Sequence, residues 1–78
     1  MNRPTRVVFT AHGEEKAHRF SRSLDAIANL VLTNHERRQR NPGEADWVVT
    51  GGGLVIVYNW PDGDDETAAR VVSLWGGR

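Results

Sequence analysis

Leu54-Val-Ile-Val-Tyr-Asn-Trp60 lies between Gly51-Gly-Gly53 and Pro61-Asp-Gly63, and this framing limits the fold more than any other feature of the chain. The run is β-branched and aromatic, and it is apolar at odd and even positions alike. That predicts a central strand with helix on one side. The glycine turn before it and the acidic turn after it are too short for a crossover. Trp47–Thr50 (led in by Asp46) and Thr67–Trp75 are therefore expected to pair antiparallel with it, as a meander.

The first half reads differently. Thr5–Thr10 is short, β-branched and aromatic, and predicts a strand after Pro4. His12-Gly13 is expected to break that strand, and Glu14 and Glu15 then suit the positive end of a helix dipole. Ala17, Phe20, Leu24, Ile27 and Val31 keep three-four spacing, with Ala28, Leu30 and Leu32 widening the apolar face. Ser23 can cap a second helix at Leu24 with Asp25 in its first turn, so a break near Ser21–Ser23 is preferred to one long helix. The helical stretch must end by about Gln39, because Pro42 pushes Asn41 out of the helical region. The expected fold class is α+β: β-α(α)-β-β-β, a small antiparallel sheet with one or two helices packed on one face. Residues 1–78 make a single domain, without repeats or linkers.

A chain of 78 residues supports one core only, and with no cysteine it has no disulfide to staple it. That motivates an expectation of completion by a second copy or a partner. It also excludes thiolate zinc sites and cysteine catalysis. No apolar run approaches the roughly 20 residues of a membrane span, and Met1–Arg6 lacks the apolar stretch of a signal peptide. The expectation is a cytoplasmic protein with no membrane partner and no cofactor.

Net charge is zero by cancellation: residues 1–40 carry eight Lys/Arg and four Asp/Glu, while residues 41–78 carry two and six. The consequence depends on whether the fold keeps the two halves' charges apart. The densest basic stretch is His35-Glu-Arg-Arg-Gln-Arg40. Arg37, Arg38 and Arg40 suit the negative end of a helix, and that is the first reading. The second is a surface for nucleic-acid phosphates, on which they converge with Lys16, Arg19 or Arg22 and with Trp47, Tyr58, Trp60 or Trp75 as a stacking platform.

His12, beside Gly13 where the chain turns, is the candidate general acid or base. His12, His18 and His35 share no zinc-site spacing, so no metal is expected. Asp62-Gly-Asp-Asp-Glu66 lacks the alternation of a calcium loop and reads as a solvated turn. Gly51–Gly53 precedes a strand, so it is no phosphate loop.

The element order, together with WVVTGGGLVIVYNWPDGDDETAARVVSLWGGR, resembles the sheet of the RelE/ParE toxin superfamily. There a strand, a glycine turn, a strand ending near Val-Tyr, an acidic turn and a final strand with basic residues follow one another. Here these are Trp47–Thr50, Gly51–Gly53, Leu54–Tyr58, Asp62–Glu66 and Arg70–Trp75 with Arg78 behind. The front half, FTAHGEEKAHRFSRSLDAIANLVL, is similar to an uncharacterised bacterial family of related topology. Its histidine, arginines and small-apolar-acid helix start correspond to His12, Arg19, Arg22 and Ser23-Leu-Asp25. The resemblance implies a toxin-like domain that binds RNA, acting as a metal-independent ribonuclease, or an interaction module completed by an antitoxin-like chain or a second copy. In the ribonuclease form His12 would move the proton of a 2′-hydroxyl or of the leaving oxygen. Arg19, Arg22, Arg70 or Arg78 would hold the phosphate. Where ribonucleases of this kind carry basic residues on the second and third strands, this chain has Asp46, Val48 and Val55.

Overall fold

The computed structural model describes residues 3–43 and 45–77. The elements run β1 (Arg6–Phe9), α1 (Ala11–Arg19), α2 (Leu24–Asn34), β2 (Gln39–Arg40), β3 (Trp47–Gly51), β4 (Leu54–Asn59) and β5 (Ala68–Gly76). A 3-10 turn at His35–Arg37 joins α2 to β2. One five-stranded sheet has the order β1-β5-β4-β3-β2, and both helices pack on one face of it, an α+β arrangement. Among the described residues, no helix is long and apolar enough to cross a membrane.

The meander follows from the turns around β4. Gly51 pairs with Leu54, and the two residues between them, Gly52 and Gly53, sit at φ +58° and +79°. Positive φ at both central positions gives a two-residue hairpin whose twist matches the strands, and glycine takes it without strain. On the helix face, Val49, Leu54, Ile56, Tyr58, Ala69, Val71 and Leu74 meet Ala17, Ile27 and Val31. Val71 and Leu74 are three residues apart yet share that face, because the β4–β5 register shifts between Val57 and Tyr58. Leu24, placed on the apolar face by its spacing, is instead 39% exposed at the first position of α2.

Two features extend the expected sheet. β1 joins it parallel to β5, with Arg6 opposite Ala68 and Phe9 opposite Val71, so the sheet is mixed. The edges of β4 are filled by β3 and β5, which leaves the outer edge of β5 for the first strand. Its direction goes with α1, which starts where Thr10 donates its N–H to Val71 O and packs back over β5. The second feature is β2, two residues on the edge of β3.

The break between the helices falls at Ser21–Ser23. Ser21 adopts φ +58°, its N–H donates to His18 O, and the Arg22 N–H donates to Ala17 O. That pair of bonds is a Schellman closure with serine in the left-handed position. Ser23 then caps α2, accepting the Ala26 N–H at 3.0 Å.

His12 and Gly13 do not form a turn. Thr10 is the N-cap, accepting the Gly13 N–H at 2.9 Å, and both residues belong to the first turn of α1. Gly13 is needed for close approach: a Cβ there would lie 2.7 Å from the Val71 carbonyl oxygen. In Gly13→Ala the clash is with strand backbone, and roughly 1–3 kcal/mol of overpacking opposes roughly 1 kcal/mol of helix propensity gained. A lower urea midpoint is expected, and an unchanged or higher one would show that α1 can slide off β5.

Candidate nucleic-acid interface

The stretch that gave the sequence its densest charge ends the helical run in its first half and becomes a sheet edge in its second. α2 stops at Asn34 with no basic residue in its last turn. His35 turns inward and is 2% exposed, Arg37 closes the 3-10 turn, and Arg38 is already extended. Asn34 diverts the helix end, since its side chain donates to Leu30 O at 2.8 Å and its Oδ1 accepts Arg37 Nη2 at 2.8 Å. The helix-end reading thus holds for Arg37, in the last turn of the 3-10 continuation, and for Arg38, whose Nη1 donates to the His35 carbonyl, while Arg40 lies on the sheet edge.

Two guanidinium groups lie over one indole. Arg38 Cζ is 4.2 Å from the centre of a Trp47 ring and Arg40 Cζ is 4.9 Å from it, while Arg38 is also 5.2 Å from Trp60. Contacts of this kind contribute about 0.5–2 kcal/mol each, more as they are desolvated. The indole N–H groups are used elsewhere: Trp47 Nε1 donates to Trp60 O at 3.1 Å, and Trp60 Nε1 donates to Glu66 O at 2.9 Å. Both rings are thus held by backbone.

Beneath Arg38 lies a buried polar pair. His35 Nδ1 and Tyr58 Oη are 2.7 Å apart, and the imidazole meets Trp60 edge-on at 4.7 Å. The His35 carbonyl accepts Arg38 Nη1 at 3.1 Å. Burial, with Arg38 and Arg3 nearby, lowers the His35 pKa from 6.5 to about 4, so the ring is neutral at pH 7. Burial also pushes the Tyr58 hydroxyl above its ordinary pKa, so it keeps its proton. Whichever group donates across that bond, His35 Nε2 has no partner among the described residues, and neither does Arg38 Nε.

The other cations are mostly spoken for. Arg70 makes a bidentate pair with Asp62 at 2.9 and 3.0 Å, which holds that carboxyl below its usual range. Arg6 pairs with Asp65, whose carboxyl is held low first by Thr67 and then by Arg6. Arg19 pairs with Glu15, and Arg3 with Glu36. Arg22 donates to Gly52 O at 2.8 Å, at the hairpin end of β3. Among the described residues, Arg37, Arg38 and Arg40 make no ion pair.

The structure therefore brings together three of the candidate arginines and separates the rest. Arg22 sits at the Gly51 end of β3 while Arg40 is opposite Trp47, about 13 Å away along the strand. Arg70 is on β5, three strands from β2. His12 is exposed on α1 over β5 and β1, its Nδ1 3.8 Å from Glu15 Oε1, far across the sheet from β2. Arg78 lies outside the described residues. The acidic turn, read as a solvated loop, serves as the ion-pair partner of β1 and β5.

The His35–Tyr58 pair is what sequence reading missed. No pattern marks a histidine as buried, whereas the alternation Arg38-Gln39-Arg40 followed by Asn41-Pro42-Gly43 was a usable edge-strand signal. Comparison with known proteins adds no relative: no family model, no curated protein and no solved structure matches the chain.

Proposed function

We propose that this is a toxin-like domain that binds single-stranded RNA along its β2 edge. The observation that carries this reading is the pair of guanidinium groups, Arg38 and Arg40, held over Trp47 and without an ion pair among the described residues. An anion placed between them meets two like charges at close range, and Arg37 precedes them in the 3-10 turn that leads into β2. A planar fork supported by an aromatic face suits a phosphate oxygen pair. The position of His12 across the sheet favours binding without cleavage. The toxin-like part rests on the element order and strand pattern described above.

A second reading, a protein-interaction module completed by an antitoxin-like chain or by a second copy, draws on the face opposite the helices. There Val48 pairs with Val57 and Val55 with Trp75, which is 42% exposed. A face of this composition departs from the polar outer face usual for a two-layer antiparallel sheet.

An amide NMR titration with a mixed-sequence single-stranded RNA at low and physiological salt separates the two. Shifts at Arg37–Arg40 and Trp47 that weaken with salt are expected. The Arg38→Ala, Arg40→Ala double variant should lose about 1.5–3 kcal/mol per charged hydrogen bond removed. Its log–log salt slope should fall by about 0.7 per phosphate contact. No shifts at low salt would end the RNA reading and leave the protein-partner one.

A further inference from the structure

β2 covers only part of the outer edge of β3. Gln39 pairs with Val48 and Arg40 with Trp47, while Val49, Thr50 and Gly51 have β4 as their only strand neighbour among the described residues. A cavity of about 140 Å³ opens at that place, lined by Arg37, Gln39, Val48, Val49 and Thr50. Val48 gives it an apolar wall, the Val49 side chain being turned to the core on the other face, and an amide, a hydroxyl and a guanidinium give it a polar rim. An uncovered strand edge adds backbone donors and acceptors to that rim.

The size and shape select among ligands. The uncovered edge is three residues long, about 10 Å, against about 5–6 residues for an ordinary strand, so an extended peptide finds little ladder there. A flat ring with apolar faces and a polar edge fits better. Side chains alternate along β2, with Arg40 opposite Trp47 and Gln39 opposite Val48, so the arginine ladder and the cavity flank the same two-residue strand. We infer that the cavity receives one unstacked nucleobase of an RNA strand whose phosphates lie on Arg38 and Arg40. The inference rests on the RNA reading above and assigns the base a place of its own. Single-stranded bases are read on their exposed edges by such mixed donor and acceptor sets. Gln39 supplies both donor and acceptor, and Arg37 keeps N–H groups beyond the one given to Asn34.

The test compares two probes of equal charge at low salt, a ten-nucleotide mixed-sequence RNA and an abasic ribose-phosphate oligomer of the same length. Thr50→Trp, on an exposed edge position, fills the cavity, and Gln39→Leu removes its amide without enlarging it. The wild type should bind RNA about tenfold or more tighter than the abasic oligomer. Thr50→Trp should bring RNA affinity close to the abasic value while leaving abasic binding unchanged, and Gln39→Leu should lose part of the difference. Equal wild-type affinity for the two probes, or RNA binding untouched by both substitutions, would overturn the base pocket and leave the phosphate edge standing. Failure of both probes to bind overturns the RNA reading and the pocket together. Amide shifts at Val49–Gly51 produced by a polyglutamate decapeptide, with none from RNA, would assign the edge to a protein partner and overturn the inference.

Discussion

Tyr58→Ala is expected to leave most of the chain unfolded at room temperature. Among the described residues Tyr58 is the largest fully buried side chain, and it sits on the helix face of the central strand, opposite Trp47 and Val71. Truncating a buried aromatic to alanine costs about 3–5 kcal/mol. Loss of the hydroxyl also strands His35 Nδ1 inside the protein, for about 1–3 kcal/mol more. Small domains sit near the low end of a total of about 5–15 kcal/mol, so little would remain. Tyr58→Phe separates the two contributions, since it keeps the ring and loses only the hydrogen bond. Far-UV circular dichroism melts should show a modest fall in Tm for Tyr58→Phe and no cooperative transition for Tyr58→Ala. Equal melts for both would mean that the ring contributes nothing, contrary to its burial.

Acid should weaken the fold well before carboxylates titrate. His35 has a pKa of about 4 in the folded protein against 6.5 as an unperturbed group. As pH falls through 6.5 the unfolded chain takes up this proton and the folded protein does not. The stability contributed by neutral His35 is therefore complete above about 6.5, declines through the window and is gone below about 4. Over that range the loss is about 3 kcal/mol. Asp62 and Asp65 act in a lower window, because their pKa values are depressed and their contribution goes only as pH drops below the usual carboxylate range. Urea denaturation between pH 7 and pH 4.5 should show the decline in the wild type. His35→Gln should flatten it, and an identical slope in that variant would assign the effect to other groups.

The legible and illegible parts of this chain divide along a physical line. The meander, the glycine hairpin and the helix break at Ser21–Ser23 were all written locally, in turn residues and caps whose chemistry acts over a few positions. The pairing of β1 with β5 was not, because residues some 60 positions apart choose each other only through the packing of α1. The candidate site was half legible. Its arginines stood out as a cluster, but their direction depended on how α2 ended, and Asn34 and the inward turn of His35 decided that. Arg19, Arg22 and Arg70 looked equivalent to them in sequence. The fold distinguishes these by supplying Glu15, Gly52 O and Asp62 as partners.

The parallel contact between β1 and β5 also bears on how such a chain is made. Arg6 finds Ala68 only after every other element has been synthesised, and closing so long a loop takes a large entropic step before any strand bond rewards it. Until then β1 has no strand beside it, and α1 lacks the surface it packs on. A nascent chain would therefore remain soft and open to chaperones or proteases over most of its synthesis, with the arginine edge assembled before the sheet that supports it is closed.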